Sequence, residues 1–174
     1  MRLFYPKLYV DSLFDIDLDI LHRNNIKGII LDLDNTIMER GANAIPPEVV
    51  SWLERLRRNG FELSIVSNSR TREAAKLARK QGIPAIIRAA KPRRRPFKKA
   101  LAMMGTKPGE TAVIGDQIFT DVLGGNRLGM FTILVRPMAG KEFIGTRLIT
   151  RQLEKVFLPK IRRQFSHERR CSND

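Results

Sequence analysis

The sequence has one cysteine, Cys171, which lies in a polar tail. It therefore allows no intramolecular disulfide and no cysteine-based metal centre, which fits a reducing, cytoplasmic setting. Histidine is nearly as scarce: His22 and His167 are too few and too isolated to form a zinc site. No apolar run approaches the roughly 18–20 residues that a membrane span needs. The stretch from Met1 to Tyr9 lacks the apolar centre and small-residue cleavage site of a signal peptide, so none is expected. There are no internal repeats and no low-complexity linkers. Acids are the last deficit: 18 stand against 32 Lys and Arg, for a net charge of +14.

What is present suffices for a folded core. The chain has 174 residues, 43% of them hydrophobic, which suits a single globular domain. The basic excess is concentrated. Arg88 to Lys99 holds seven basic residues and no acid, and Lys141 to Arg170 holds nine against three. Charge gathered in this way favours an anionic partner, such as a membrane surface, a nucleic acid or a phosphorylated substrate. Solubility alone is the plainer reading.

Along the chain, Phe4 to Val10 reads as a packing arm, and the acid-rich segment from Asp15 to Leu21 as a short helix with acids in its first turn. Apolar strands are then expected at Lys27–Asp32, Phe61–Val66, Pro84–Ile87, Thr111–Ile114 and Phe131–Val135. Helices fall between them: one opened by Pro47, one started by Thr71, one through Phe97 to Met104, and a partial one from Asp121 to Leu128. Such alternation predicts a parallel sheet of about five strands covered on both faces. Gly140 marks the expected boundary between a core, 1–140, and a basic extension, 141–174. In that extension Ile149, Leu153, Val156 and Phe157 would share one helical face and Arg147, Arg151, Glu154 and Lys155 the opposite one. Such a helix either packs on the core or lies on an anionic membrane.

The polar residues at the strand ends form a set. The first strand runs into Asp32 and Asp34, with Thr36 beyond. The second stops at Ser67, the third leads to Lys91, and the fourth ends at Asp116 with Asp121 following. In a parallel sheet these ends share one edge. Carboxylates that can hold Mg²⁺, a carboxylate nucleophile, a second acid to move the proton, and a hydroxyl and an amine to hold phosphate charge are what phosphoryl transfer requires. Taken singly, Ser67 is equally a turn residue, Lys91 a surface lysine and Asp121 a helix cap.

Asp-Leu-Asp-Asn-Thr at 32–36, Ser67, Lys91-Pro92 and Gly115-Asp116 with Asp121 resemble the four motifs of the haloacid dehalogenase-like (HAD) superfamily. The closer likeness is to the YqeG-type phosphatases of subfamily IIIA, related to phosphatidylglycerophosphate phosphatases. The resemblance implies a Rossmann-like core and a Mg²⁺-dependent phosphomonoester hydrolase working through an aspartyl-phosphate. Asp32 would be nucleophile and metal ligand. Asp34 would be the general acid/base, with its backbone carbonyl on the metal. Asp116 would be the second metal carboxylate. Ser67 and Lys91 would hold the phosphoryl group, and Thr36 and Asp121 would support the site.

The segments 36–46 and 67–91 are too short to carry a cap domain, so the site should be open to a bulky substrate. Arg93, Arg94 and Arg95, directly after Lys91-Pro92, are candidates for a second substrate phosphate. Phosphatidylglycerophosphate at an anionic membrane surface, on its cytoplasmic face, is the favoured substrate. The alternatives are a soluble phosphoester or phosphoprotein, or a basic ribosome- or RNA-binding module with vestigial catalytic residues.

Overall fold

The computed structural model describes residues 2–138. The expected extension, 141–174, lies outside them. The sheet has six strands, all parallel: β1 (Leu8–Val10), β2 (Gly28–Leu31), β3 (Glu62–Ser67), β4 (Ala85–Ile87), β5 (Thr111–Gly115) and β6 (Phe131–Val135), in the order β1-β6-β5-β2-β3-β4. β2 is central because it alone lies between the two halves of the chain's path. The chain leaves it on one side for β3 and β4, then returns to its other side for β5 and β6. That reversal opens a crevice at the carboxyl ends of β2, β3 and β5.

The helices are α1 (Leu18–Arg23), α2 (Pro47–Arg58), α3 (Arg72–Lys80), α4 (Arg94–Met104) and α5 (Leu123–Asn126). Their ends carry the expected chemistry. Asp17 caps α1 through a 2.9 Å bond from the Asp19 N–H, Pro47 opens α2, and Thr71 accepts from Ala74 N–H at the start of α3. Gly105 closes α4 at φ +67°, a left-handed turn that costs glycine little.

Strand alternation divides the core. Ile29, Leu31, Ile65 and Ile114 point to the face covered by α1, α2 and α3, where Leu21, Trp52, Leu53, Leu56 and Leu77 pack. Ile30, Val66 and Val113 point to the other face, against Phe97, Ala100 and Leu101 of α4. With both faces covered, β2 reads as an unbroken apolar run, as a central parallel strand should.

One strand was not expected. Leu8–Val10, inside the presumed packing arm, pairs with Ile133–Val135 at the sheet edge. Lys7 N–H donates to the Thr132 carbonyl (2.8 Å) and Arg136 N–H to the Val10 carbonyl (3.1 Å), which extends the pairing at both ends. The arm is anchored by Asn126, whose side-chain amide donates to the carbonyls of Leu3 and Tyr5, both at 2.9 Å, and accepts from Thr132 Oγ1. A three-residue strand with no alternation has no local signature. Its partner is more than 120 positions away.

Among the described residues there is no cap domain. Between β2 and α2 the chain makes turns and one isolated bridge, Asp34 to Met38, and between Ser67 and Lys91 it makes only α3 and β4. Among the described residues no helix is long and apolar enough to cross a membrane.

Candidate active site

β2 is buried along its whole length, so the next residue is carried to the sheet edge with little freedom. Asp32 N–H still donates to the Ile114 carbonyl (2.9 Å), one step beyond the strand. Its carboxylate is 5% exposed, and Oδ1 accepts from Leu33 N–H and from Lys91 Nζ, both at 2.8 Å. The backbone then folds over: Ile37 and Met38 N–H both donate to the Leu33 carbonyl (3.2 Å), and Asn35 sits at φ +61°. Asparagine tolerates that left-handed conformation better than most residues. Its side chain accepts from Arg40 N–H (3.1 Å), closing the loop. Asp34 is half-buried in this turn. Burial and then the charge of Asp32 raise its pKa, against smaller opposing effects from Arg40, a Ser69 hydrogen bond and Lys91.

At the end of β3, Ser67 is fully buried and its Oγ accepts from Ser69 N–H (3.0 Å). Asn68 reaches across to the β4 connection. Its Oδ1 accepts from Lys91 N–H (2.7 Å) and its Nδ2 donates to the Lys91 carbonyl (3.3 Å). This two-way clamp fixes the backbone from which the lysine side chain extends. Lys91 Nζ lies 2.8 Å from Asp32 Oδ1 and 2.6 Å from Asp121 Oδ1, inside the protein. Burial alone would lower its pKa, but Asp121 and Asp32 outweigh that effect and keep the ammonium charged.

β5 ends at Gly115, and Asp116 follows. A π-helix, Ile118–Val122, then turns Asp121 back onto the strand end. Such widened turns are frequent at functional sites. Asp121 Oδ2 accepts from Gln117 N–H (3.3 Å) and Thr120 Oγ1 (3.1 Å). The carboxylate packs so closely on Gly115 that a Cβ there would overlap it. Burial pushes Asp121 up to about 6 even with Lys91 opposing. Burial and the charges of Asp32 and Asp121 hold Asp116 well above the usual carboxylate range. Buried Thr36 donates to Asp116 Oδ1 at 3.4 Å.

The six residues read from the strand ends, Asp32, Asp34, Ser67, Lys91, Asp116 and Asp121, therefore stand at one edge of the sheet, with Thr36 beside them. Asp121 shares the lysine with Asp32. Carboxylate oxygens of Asp32, Asp116 and Asp121 lie within 4.8 Å of one another. This all-oxygen donor set suits a hard divalent cation. With Asp121 engaged by Lys91, Gln117 and Thr120, the acids best placed to hold one are Asp32 and Asp116. Arg93, Arg94 and Arg95 are exposed at the start of α4. Sequence reasoning missed Asn68 and Ser69. Their only signal was their position beside Ser67, which any turn residue would share.

Fold and site together define a phosphatase of the HAD class, a phosphoric monoester hydrolase. The family model described as mitochondrial PGP phosphatase matches residues 1–139, and the chain belongs to that family. It is 39% identical over 163 residues to the probable phosphatase YqeG of Bacillus subtilis, covering 94% of each chain. It is 30% identical over 149 residues to the mitochondrial phosphatidylglycerophosphatase of Saccharomyces cerevisiae, covering 75% of this chain and 77% of that one. Among solved structures, the cobalt-bound deoxy-D-mannose-octulosonate 8-phosphate phosphatase of Haemophilus influenzae superimposes with a TM-score of 0.53, over 64% of this chain and 69% of that one. At 16% identity that likeness is one of fold.

Proposed function

We propose that the chain is a Mg²⁺-dependent phosphomonoester hydrolase that works through an aspartyl-phosphate on Asp32, with phosphatidylglycerophosphate as its substrate. The observation that carries this reading is the buried lysine bound to both Asp32 and Asp121. It fixes one oxygen of a carboxylate at the mouth of the crevice and leaves the group poised for attack.

In the first half-reaction Asp32 attacks phosphorus and the bond to the leaving oxygen breaks, while Asp34 donates its proton to that oxygen. Burial raises the pKa of Asp34, the direction that favours the protonated form a general acid needs. In the second half-reaction Asp34 takes a proton from water, the water attacks the same phosphorus, and the bond to Asp32 breaks, releasing phosphate. Ser67 and Lys91 hold the transferring group's charge, and Asn68 and Thr36 keep Lys91 and Asp116 in place. Mg²⁺, when bound by Asp32, Asp116 and the Asp34 backbone carbonyl, would supply charge neutralisation at the phosphoryl oxygens.

The substrate assignment rests on the likeness to phosphatidylglycerophosphatases, on the lack of a cap over the site and on the basic segments. The exposed Arg93–Arg95 run would draw the protein to an anionic bilayer, with the segment 141–174 adding to the attraction. The setting would be cytoplasmic, peripheral on the membrane. The test is phosphate release from a panel of phosphoesters that includes phosphatidylglycerophosphate, with Asp32→Asn as the blank. Activity should require Mg²⁺ and fall by at least about 10³-fold in the variant, the scale set by losing a nucleophile. Full activity in Asp32→Asn sinks the mechanism, and turnover of every ester except the lipid sinks the substrate.

A further inference from the structure

The loops that follow β3 and β4 border a cavity of about 610 Å³ lined by Asn68, Arg70, Arg88 and Ala90. Its size falls in the range of small-molecule pockets and exceeds the needs of a single phosphoryl group. Among the described residues its lining includes two arginines and no acid. Among the described residues neither guanidinium is ion-paired. The walls belong to the loops that carry the reacting groups, since Asn68 follows Ser67 and Ala90 precedes Lys91.

These loops are laced together. Arg88 N–H donates to the Ser69 carbonyl (3.1 Å), Ala89 N–H to the Ser67 carbonyl (3.0 Å), and Arg88 Nη2 to the Arg70 carbonyl (3.4 Å). Arg88 and Ala90 both sit in the left-handed region, at φ +55° and +57°. Residues with a Cβ adopt it only when their surroundings hold them there, and such residues cluster at ligand sites. The strained turn keeps Arg88 on the cavity wall and not in a relaxed loop.

On the reading that Asp32 attacks a phosphomonoester, we infer that Arg70 and Arg88 form a subsite for a second phosphate on the same substrate, and so select phosphomonoesters that also carry a nearby phosphodiester. Guanidinium groups recognise phosphate through a planar fork, and Asn68 adds an amide beside them. The chemistry is the same whether the phosphodiester belongs to a lipid headgroup or to a soluble ester. Arg93, Arg94 and Arg95 do not line the cavity, so general attraction and selection fall on different arginines.

The experiment measures kcat/KM for glycerol 1-phosphate, for the deacylated headgroup glycerophosphoglycerophosphate, and for phosphatidylglycerophosphate in vesicles. The proteins compared are wild type, Arg70→Gln, Arg88→Gln and Arg88→Lys, each checked for folding by thermal melting. The expected result is a preference for both diester-bearing substrates over glycerol 1-phosphate that falls at least tenfold in the two Gln variants and only partly in Arg88→Lys. A parallel fall on all three substrates overturns the inference, as does a preference seen on vesicles but not on the soluble headgroup. A wild type that hydrolyses glycerol 1-phosphate yet shows no preference removes the subsite and leaves the phosphatase reading standing. Binding of the soluble headgroup to the Asp32→Asn protein, measured by calorimetry, tests the subsite without turnover: affinity should drop at least tenfold when Arg88→Gln is added, and unchanged affinity overturns it.

Discussion

The two sides of the crevice are built on opposite plans. On the side of β2 and β5 stand the acids. Asp32 and Asp121 are buried, and hydrogen bonds from Leu33, Gln117, Thr120 and Thr36 cross-link the cluster. On the side of β3 and β4 stand the cations, and Arg70, Arg88, Arg93, Arg94 and Arg95 are all exposed. Lys91 is the exception: it comes from the cationic side and is buried among the acids. The difference separates two tasks. Groups that react must be dry and pre-positioned, so they are woven into the core. Groups that recognise can stay solvated, because a planar fork on a long stem needs little support. Substitutions of the buried groups on the acidic side should therefore disturb folding and chemistry together, and those on the cationic rim should alter selection alone.

Removing Lys91 breaks this contrast hardest. Lys91→Met leaves the neighbouring acids without their shared cation, and breaking such a buried pair costs about 3–5 kcal/mol. Urea unfolding of the metal-free protein at neutral pH should show that loss, with activity falling in parallel. A change below about 1 kcal/mol would mean the ion cluster is not integral to the fold. Next is Asp34→Asn, expected to lower kcat about 10²–10⁴-fold, the usual share of a general acid/base. Its stability should hold, since Asp34 is only half-buried and its charged form is already disfavoured. Retained turnover would reassign the proton to another group. Gly115→Ala should cost about 1–3 kcal/mol, the range for overpacking, because the new Cβ meets the Asp121 carboxylate. Added Mg²⁺ should recover little activity, since the displaced group is Lys91's partner.

The smallest effect is a pH dependence confined to the acidic side. Asp34, Asp116 and Asp121 have raised pKa values in the folded protein, Asp121 at about 6. The native state thus binds more protons than the unfolded chain between about pH 4 and 6, so stability rises as pH falls through that window. Glu110 has the opposite sign, because its pKa is lowered by Lys27. The urea midpoint of the metal-free protein should be higher at about pH 5.5 than at about pH 7.5, and saturating Mg²⁺ should flatten the difference by holding the acids ionised. A midpoint that falls on acidification would show that the acids are not desolvated together.

Much of this was legible before any coordinates. A buried parallel strand must be apolar, so carboxylates at the end of Gly28–Leu31 stand out from turn residues once three later strands also end in polar groups. Periodicity and caps placed the helices for the same local reason: Pro47, Thr71 and Gly105 act within one turn of themselves. Local chemistry therefore determined the order of elements, the shared edge and the choice of residues proposed to react. Only the tertiary structure decided that Leu8–Val10 is a strand, that Asp121 shares Lys91 with Asp32, that Asn68 clamps the lysine backbone, and that Arg70 and Arg88 wall one cavity. Each of these is a pairing between groups 18 to 125 positions apart, and nothing in the local sequence encodes a partner at that distance. Their geometry exists only once the sheet has brought the strand ends together.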